Sequence, residues 1–246
     1  GYRKIAMGKA AKKKKQKIQE DTKNIKTKPK LMLWMRQADK LELIEDAVLG
    51  VLFFTVALLF STSIHVHFTL PKLLALRICS LCLVILWIVR LRRNKINAIP
   101  SFTLYTGSAF GLWLIFSTFF ALHLPTALHG VYGRYNALIN NELYIVLFFL
   151  VATMPIDTGR ISRITGLFVF ALIPVSLYAV LQYLNVDFFP WPSGRSASTI
   201  GNPVILGAVL SLGFPFALVF FLRYRSNNAK IFWGAIILLM LIAMFT

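Results

Sequence analysis

From residue 47 onward the chain is a series of long apolar runs broken by short polar connections. The runs occupy residues 47–70, 73–89, 99–122, 138–154, 164–184, 203–222 and 231–246. A helix crossing the ~30 Å hydrocarbon core of a bilayer needs about 17–25 residues, and each of the first six runs is near that length. The pattern predicts an all-α fold, a polytopic transmembrane helix bundle of about seven spans. The fourth run is the least regular, because Asn140, Asn141 and Glu142 stand near its start. The last run holds 16 residues, which as a helix reach about 24 Å. With Gly1 in place of an initiating Met, this predicts a piece of a longer chain, cut within a span.

Ahead of the runs the pattern differs. Leu31, Trp34, Ala38, Leu41 and Val48 recur at three-, four- and seven-residue spacing, with Arg36, Asp39, Lys40 and Glu42 between them. Residues 31–46 therefore read as an amphipathic interfacial helix leading into the first span. Residues 1–30 are lysine-rich, with a lysine run at 12–15 and few large apolar side chains. Such a segment buries too little surface to fold and reads as a basic cytoplasmic tail, either solvated or held at an anionic membrane surface.

Composition agrees with the pattern: 57% of the 246 residues are hydrophobic, 15% are charged, and the mean hydropathy is +0.69. An ordinary soluble domain is excluded. The net charge of +18 invites a nucleic-acid reading, but its distribution argues for topology and membrane lipids instead. Of the 27 Lys and Arg, 14 precede residue 47; residues 90–95 hold four, Arg160 and Arg163 make two, and Arg223, Arg225 and Lys230 make three. The alternate side holds Lys72, Arg134 and Arg195, and Arg77 falls inside a span. Cations concentrate on the cytoplasmic side, so a split of 23 to three predicts a cytoplasmic N-terminus. The connections holding Arg134 and Arg195 then face outward.

The outward side carries the candidate chemistry. In GRSASTIGNP, residues 194–203, Asn202 is a favoured N-cap and Pro203 a favoured first helical residue, so a helix is predicted to start there. Its first turn presents N–H groups beside Arg195, Ser196, Ser198 and Thr199, a pattern suited to an anion and equally to a well-capped helix. Arg77, five residues after Lys72, either snorkels to the outer interface or binds an anion within the bundle. His65 and His67 lack an evident third metal ligand, and no metal or other cofactor is expected. His123 and His129 are weak general-base candidates, and Glu142 and Asp187 are the outer carboxylates. Cys79 and Cys82 lie in an apolar run and read as buried helix residues. No phosphate-binding loop, dinucleotide motif or serine-hydrolase elbow occurs.

The segment GRSASTIGNPVILGAVLSLGFPFAL, residues 194–218, resembles the part of the O-antigen ligase and polymerase family in which an outer-loop arginine precedes a Gly-Asn-Pro helix start. ALHGVYGRYNALIN, residues 127–140, is similar to that family's Gly-x-Tyr-x-Arg segment, and PVSLYAVLQYLNVDFFPW, residues 174–191, also fits. Ala137 stands where some relatives have glycine. The resemblance covers about residues 100–222. It implies a glycosyltransferase of the bacterial cytoplasmic membrane, taking a glycan from a polyprenyl diphosphate lipid to an acceptor hydroxyl on a glycan, lipid or protein. Arg195, Arg134, Asn202, Ser198, Thr199 and Arg77 are the expected substrate-binding residues. The resemblance implies a catalytic base in a large outer loop beyond residue 246, so none is assigned here. A transporter or flippase for an anionic lipid or polysaccharide would use the same arginines, and a membrane scaffold is a third reading.

Overall fold

Every regular element is helical among residues 39–63, 65–186 and 195–246, the residues described by a computed structural model. In chain order the helices are α1 (Lys40–Leu58), α2 (Thr69–Arg92), α3 (Ser101–Phe119), α4 (Leu124–His129), α5 (Leu138–Ala152), α6 (Thr158–Tyr183), α7 (Pro203–Arg223) and α8 (Asn227–Met244). A single 3-10 turn, Ser198–Ile200, precedes α7. The chain divides into two units, residues 1–43 and 44–246, and the helix bundle is the second of them.

Five helices, α2, α3, α6, α7 and α8, are long and apolar enough to cross a membrane. Two of the seven predicted runs fall short of that description. In α5 the 15 residues rise about 22 Å. In α1 the carboxylates Glu42, Glu45 and Asp46 leave an uninterrupted apolar stretch of only 12 residues, 47–58. The expected first span, 47–70, thus ends as helix at Leu58, and residues 59–63 and 65–68 are irregular. No break separates residues 40–46 from it either; the remainder of the expected interfacial helix and the tail lie outside the described residues.

Helix starts follow local chemistry. Asp157 caps α6 by accepting from Arg160 N–H at 2.6 Å, Ser226 caps α8 by accepting from Ala229 N–H, and Asn202 caps α7 ahead of Pro203. The largest core joins α6, α7 and α8 through Val169, Leu172, Val175, Leu210, Trp233 and Met240. Trp233 stacks on Phe220 with ring centroids 4.5 Å apart. Gly213 lets α7 approach α6 closely, since a Cβ there would overlap Leu172. Away from this core, α3 exposes Phe102, Trp113 and Phe119, apolar faces suited to lipid rather than water.

Side-chain bonds sort the helix ends. At one end, Glu45 and Asp46 near the start of α1 meet Arg90 near the end of α2 and Arg160 and Arg163 in the first turns of α6. Arg223, ending α7, donates to Ser162 of α6 at the same end. At the other end the start of α2, the last turn of α1 and the 3-10 turn come together: Lys72 donates to the Thr199 carbonyl and Thr199 Oγ1 to the Ala57 carbonyl. Three cations counted from sequence as loop charges, Arg90, Arg160 and Arg163, are therefore ion-paired within the bundle.

Candidate functional site

The end opposite the ion-pair cluster contains a cavity of about 820 Å³. Three irregular or helix-starting segments give it polar lining. The first is residues 130–136, folded tightly by positive φ at Gly130 (90°), Gly133 (88°) and Tyr135 (47°). A Cβ on Gly130 would stand 2.7 Å from Tyr135 Cα, so this turn requires glycine. The fold brings Arg134, Tyr135 and Asn136 to the cavity, next to Asn140 and Tyr144 of α5. The second is the start of α2, supplying Phe68 and Lys72. The third is a strap, residues 195–202, whose last members, Ile200, Gly201 and Asn202, line the cavity. Val56, Leu73, Leu76, Ile205 and Val209 make the remaining walls apolar.

The electrostatics of this lining are one-sided. Lys72 is partly buried and Arg134 exposed, and among the described residues neither forms an ion pair. The lining contains no carboxylate. Around the cations stand the amides of Asn136, Asn140 and Asn202 and the hydroxyls of Tyr135 and Tyr144, groups able to donate hydrogen bonds. Two cations facing a common space without a counter-charge favour an anion there.

The residues singled out from sequence take different positions. Arg134 and Asn202 line the cavity. Asn202 Oδ1 accepts from Val204 N–H at 2.9 Å and Ile205 N–H at 3.3 Å, so the first-turn donors expected to meet a phosphate are held by the cap. Ser198 and Thr199 do not line it: both are buried, and their hydroxyls donate to the Val175 carbonyl at 2.7 Å and the Ala57 carbonyl at 2.8 Å. They fasten the strap to α6 and α1. Arg195 is exposed at the head of the strap and outside the lining. Arg77 is also outside it, but donates to Asn140 Oδ1 at 3.1 Å, and the Asn140 amide donates to the Tyr135 carbonyl. Arg77 thereby braces a residue that does line the cavity.

The secondary candidates lie elsewhere. His123 caps α4, accepting from Thr126 N–H, and His129 Nδ1 contacts the Pro125 carbonyl; neither faces the cavity. His67 Nδ1 lies 3.0 Å from the Ser61 carbonyl. Glu142 points toward Gly111 of α3, and Asp187 falls outside the described residues. Among the described residues, no three of His, Cys, Asp and Glu gather as a metal-ligand set.

Lys72, Tyr144 and Asn140 were missed as site residues. Lys72 read as a loop cation, yet it sits in the first turn of α2 at the head of a largely apolar run, and that placement was the available signal. The polar group at 140–142 was visible as an irregularity in the fourth run, though nothing local ties it to a strap 60 residues away.

Comparison with protein-family models, curated proteins and solved structures returns no match to this chain.

Proposed function

We propose that the cavity binds the diphosphate of a polyprenyl-linked glycan and that the protein is a membrane glycosyltransferase of the O-antigen ligase or polymerase type. The observation carrying this reading is the pairing of Lys72 and Arg134 across a lining without carboxylates. The apolar walls contributed by α1, α2 and α7 suit the hydrocarbon part of such a lipid, and the amides and tyrosines suit a sugar. In the reaction an acceptor hydroxyl attacks the anomeric carbon and gives up its proton to a general base, the bond from that carbon to the diphosphate oxygen breaks, and the diphosphate leaves with the bonding electrons. Fixed cations favour that charge as it develops, and arginine matches phosphate geometry. Arg195 adds charge at the head of the strap, and Arg77 holds Asn140 in place.

In this reading the helices cross the membrane seven times, with α1 and α5 among them and the N-terminus in the cytoplasm. The connections α2–α3, α5–α6 and α7–α8 then lie inside, with the cavity at the outer leaflet of a bacterial inner membrane.

The test pairs binding with transfer. The chain in detergent is expected to bind a polyprenyl diphosphate in preference to the polyprenol, and Arg134→Ala to weaken that binding about tenfold or more, as loss of a charge-assisted contact does. In membranes, with the full-length protein, transfer of labelled glycan from the lipid diphosphate is expected to fall with Arg134→Ala and with Arg195→Ala. Equal binding of diphosphate and alcohol, or wild-type transfer by both variants at normal expression, would defeat the proposal. Binding without transfer would favour a carrier for the same lipid.

A further inference from the structure

The strap is fastened at several points, and one of its fasteners is a charge that also faces the cavity. Ser198 Oγ donates to Val175, Ser198 N–H donates to Gln182 Oε1 at 2.7 Å, and Thr199 Oγ1 donates to Ala57. These three bonds involve no cavity-lining side chain. The fourth runs from Lys72 Nζ to the Thr199 carbonyl at 2.7 Å. The same ammonium stands 5.9 Å from the centre of the Phe68 ring, the ring on which Gly201 rests. An ammonium has three N–H donors. Thr199 takes one, and among the described residues no carboxylate takes another.

We propose that Lys72 is at once an anion ligand and the tether of the strap, so that filling the cavity with a phosphate-type anion and ordering residues 196–202 form one coupled equilibrium. This rests on the anion-binding reading of the cavity, and adds to it a positioning role for Lys72. A strap held by Lys72 fixes the ammonium where an anion meets it, and an anion held by Lys72 fixes the ammonium beneath the strap. Linkage makes the two effects reciprocal: the factor by which strap order raises affinity is the factor by which the anion raises strap order.

Inorganic pyrophosphate is the probe, with the chain in detergent micelles and hydrogen–deuterium exchange read on peptides covering residues 196–206. Pyrophosphate is expected to slow exchange across the strap in the wild-type chain. Lys72→Met is expected to speed ligand-free strap exchange and weaken pyrophosphate binding, each by about tenfold, since one charge-assisted bond serves both. Arg134→Ala is expected to weaken binding while leaving ligand-free strap exchange as in wild type. A second measurement needs no variant: saturating pyrophosphate should protect Lys72 from acylation by an amine-directed reagent. If pyrophosphate binds and Arg134→Ala weakens it, yet Lys72→Met changes only affinity or only exchange, the coupling is refuted and the anion cavity stands. Undiminished acylation of Lys72 at saturation refutes the coupling as well. If wild type shows no pyrophosphate binding, the anion reading itself fails.

Discussion

Gly201 shows how much of the site depends on single positions. Its φ of +83° lies in the left-handed region, and a Cβ there would overlap the Phe68 ring, so backbone conformation and space both require glycine. Gly201→Ala is expected to cost about 1–3 kcal/mol, read as a lower unfolding temperature in detergent, and to weaken pyrophosphate binding by moving Asn202 and Phe68. A variant that unfolds with wild type and binds equally would show that the strap relaxes without cost. Ser198 and Thr199 make the complementary point. Their hydroxyls look like ligand groups in the sequence, yet in the structure they are buried and satisfied by backbone carbonyls. Residue type alone does not separate a hydroxyl that holds a ligand from one that holds a loop, because the acceptors at 175 and 57 are distant in sequence.

Among the elements, α1 is the one whose reading changes most. Glu45 and Asp46 are 1% and 3% exposed, enclosed by Arg90, Arg160 and Arg163, so the start of a nominal span is tied by charge to α2 and α6. The two acids are not equivalent. Glu45 receives Arg90 Nε at 2.8 Å and Arg160 Nη2 at 2.7 Å, and is the carboxylate to which Arg90 bonds; without it Arg90 retains a bond to the Lys95 carbonyl. Arg160, by contrast, reaches both acids, and Arg163 is 17% exposed. Removing one partner of a buried pair costs about 3–5 kcal/mol, because the remaining charge stays desolvated. Glu45→Ala should therefore lower chemical-denaturation stability in micelles by about that amount and by clearly more than Asp46→Ala. An equal or reversed order would mean that Arg90 finds water in the variant. At the opposite end, α7 begins where Asn-Pro predicts, because cap and first turn are adjacent in sequence.

At the level of the whole bundle, the ends separate by chemistry. A paired cluster of three arginines and two acids occupies one end, and a cavity whose cations have no carboxylate partner among the described residues occupies the other. With the bundle inserted as proposed, single cysteines at positions 134 and 195 should react with a membrane-impermeant thiol reagent added outside intact cells. A cysteine at 95 should react only after permeabilisation, in a background lacking Cys79 and Cys82. Labelling of position 195 from the cytoplasmic face alone would reverse the topology and remove the lipid-donor reading. Helical class and most helix positions were set by the sequence itself, since apolar run length and capping residues act over a few turns. The cavity was not, because its walls come from residues 56, 72, 134 and 202, whose meeting depends on packing between helices far apart in the chain. For the same reason the sequence offered Arg90, Arg160 and Arg163 as loop charges and Lys72 as a surface cation, and only the tertiary structure paired the first three with Glu45 and Asp46 and left the fourth facing an open space. Charge is a property of a residue, whereas the presence or absence of its counter-charge belongs to the fold.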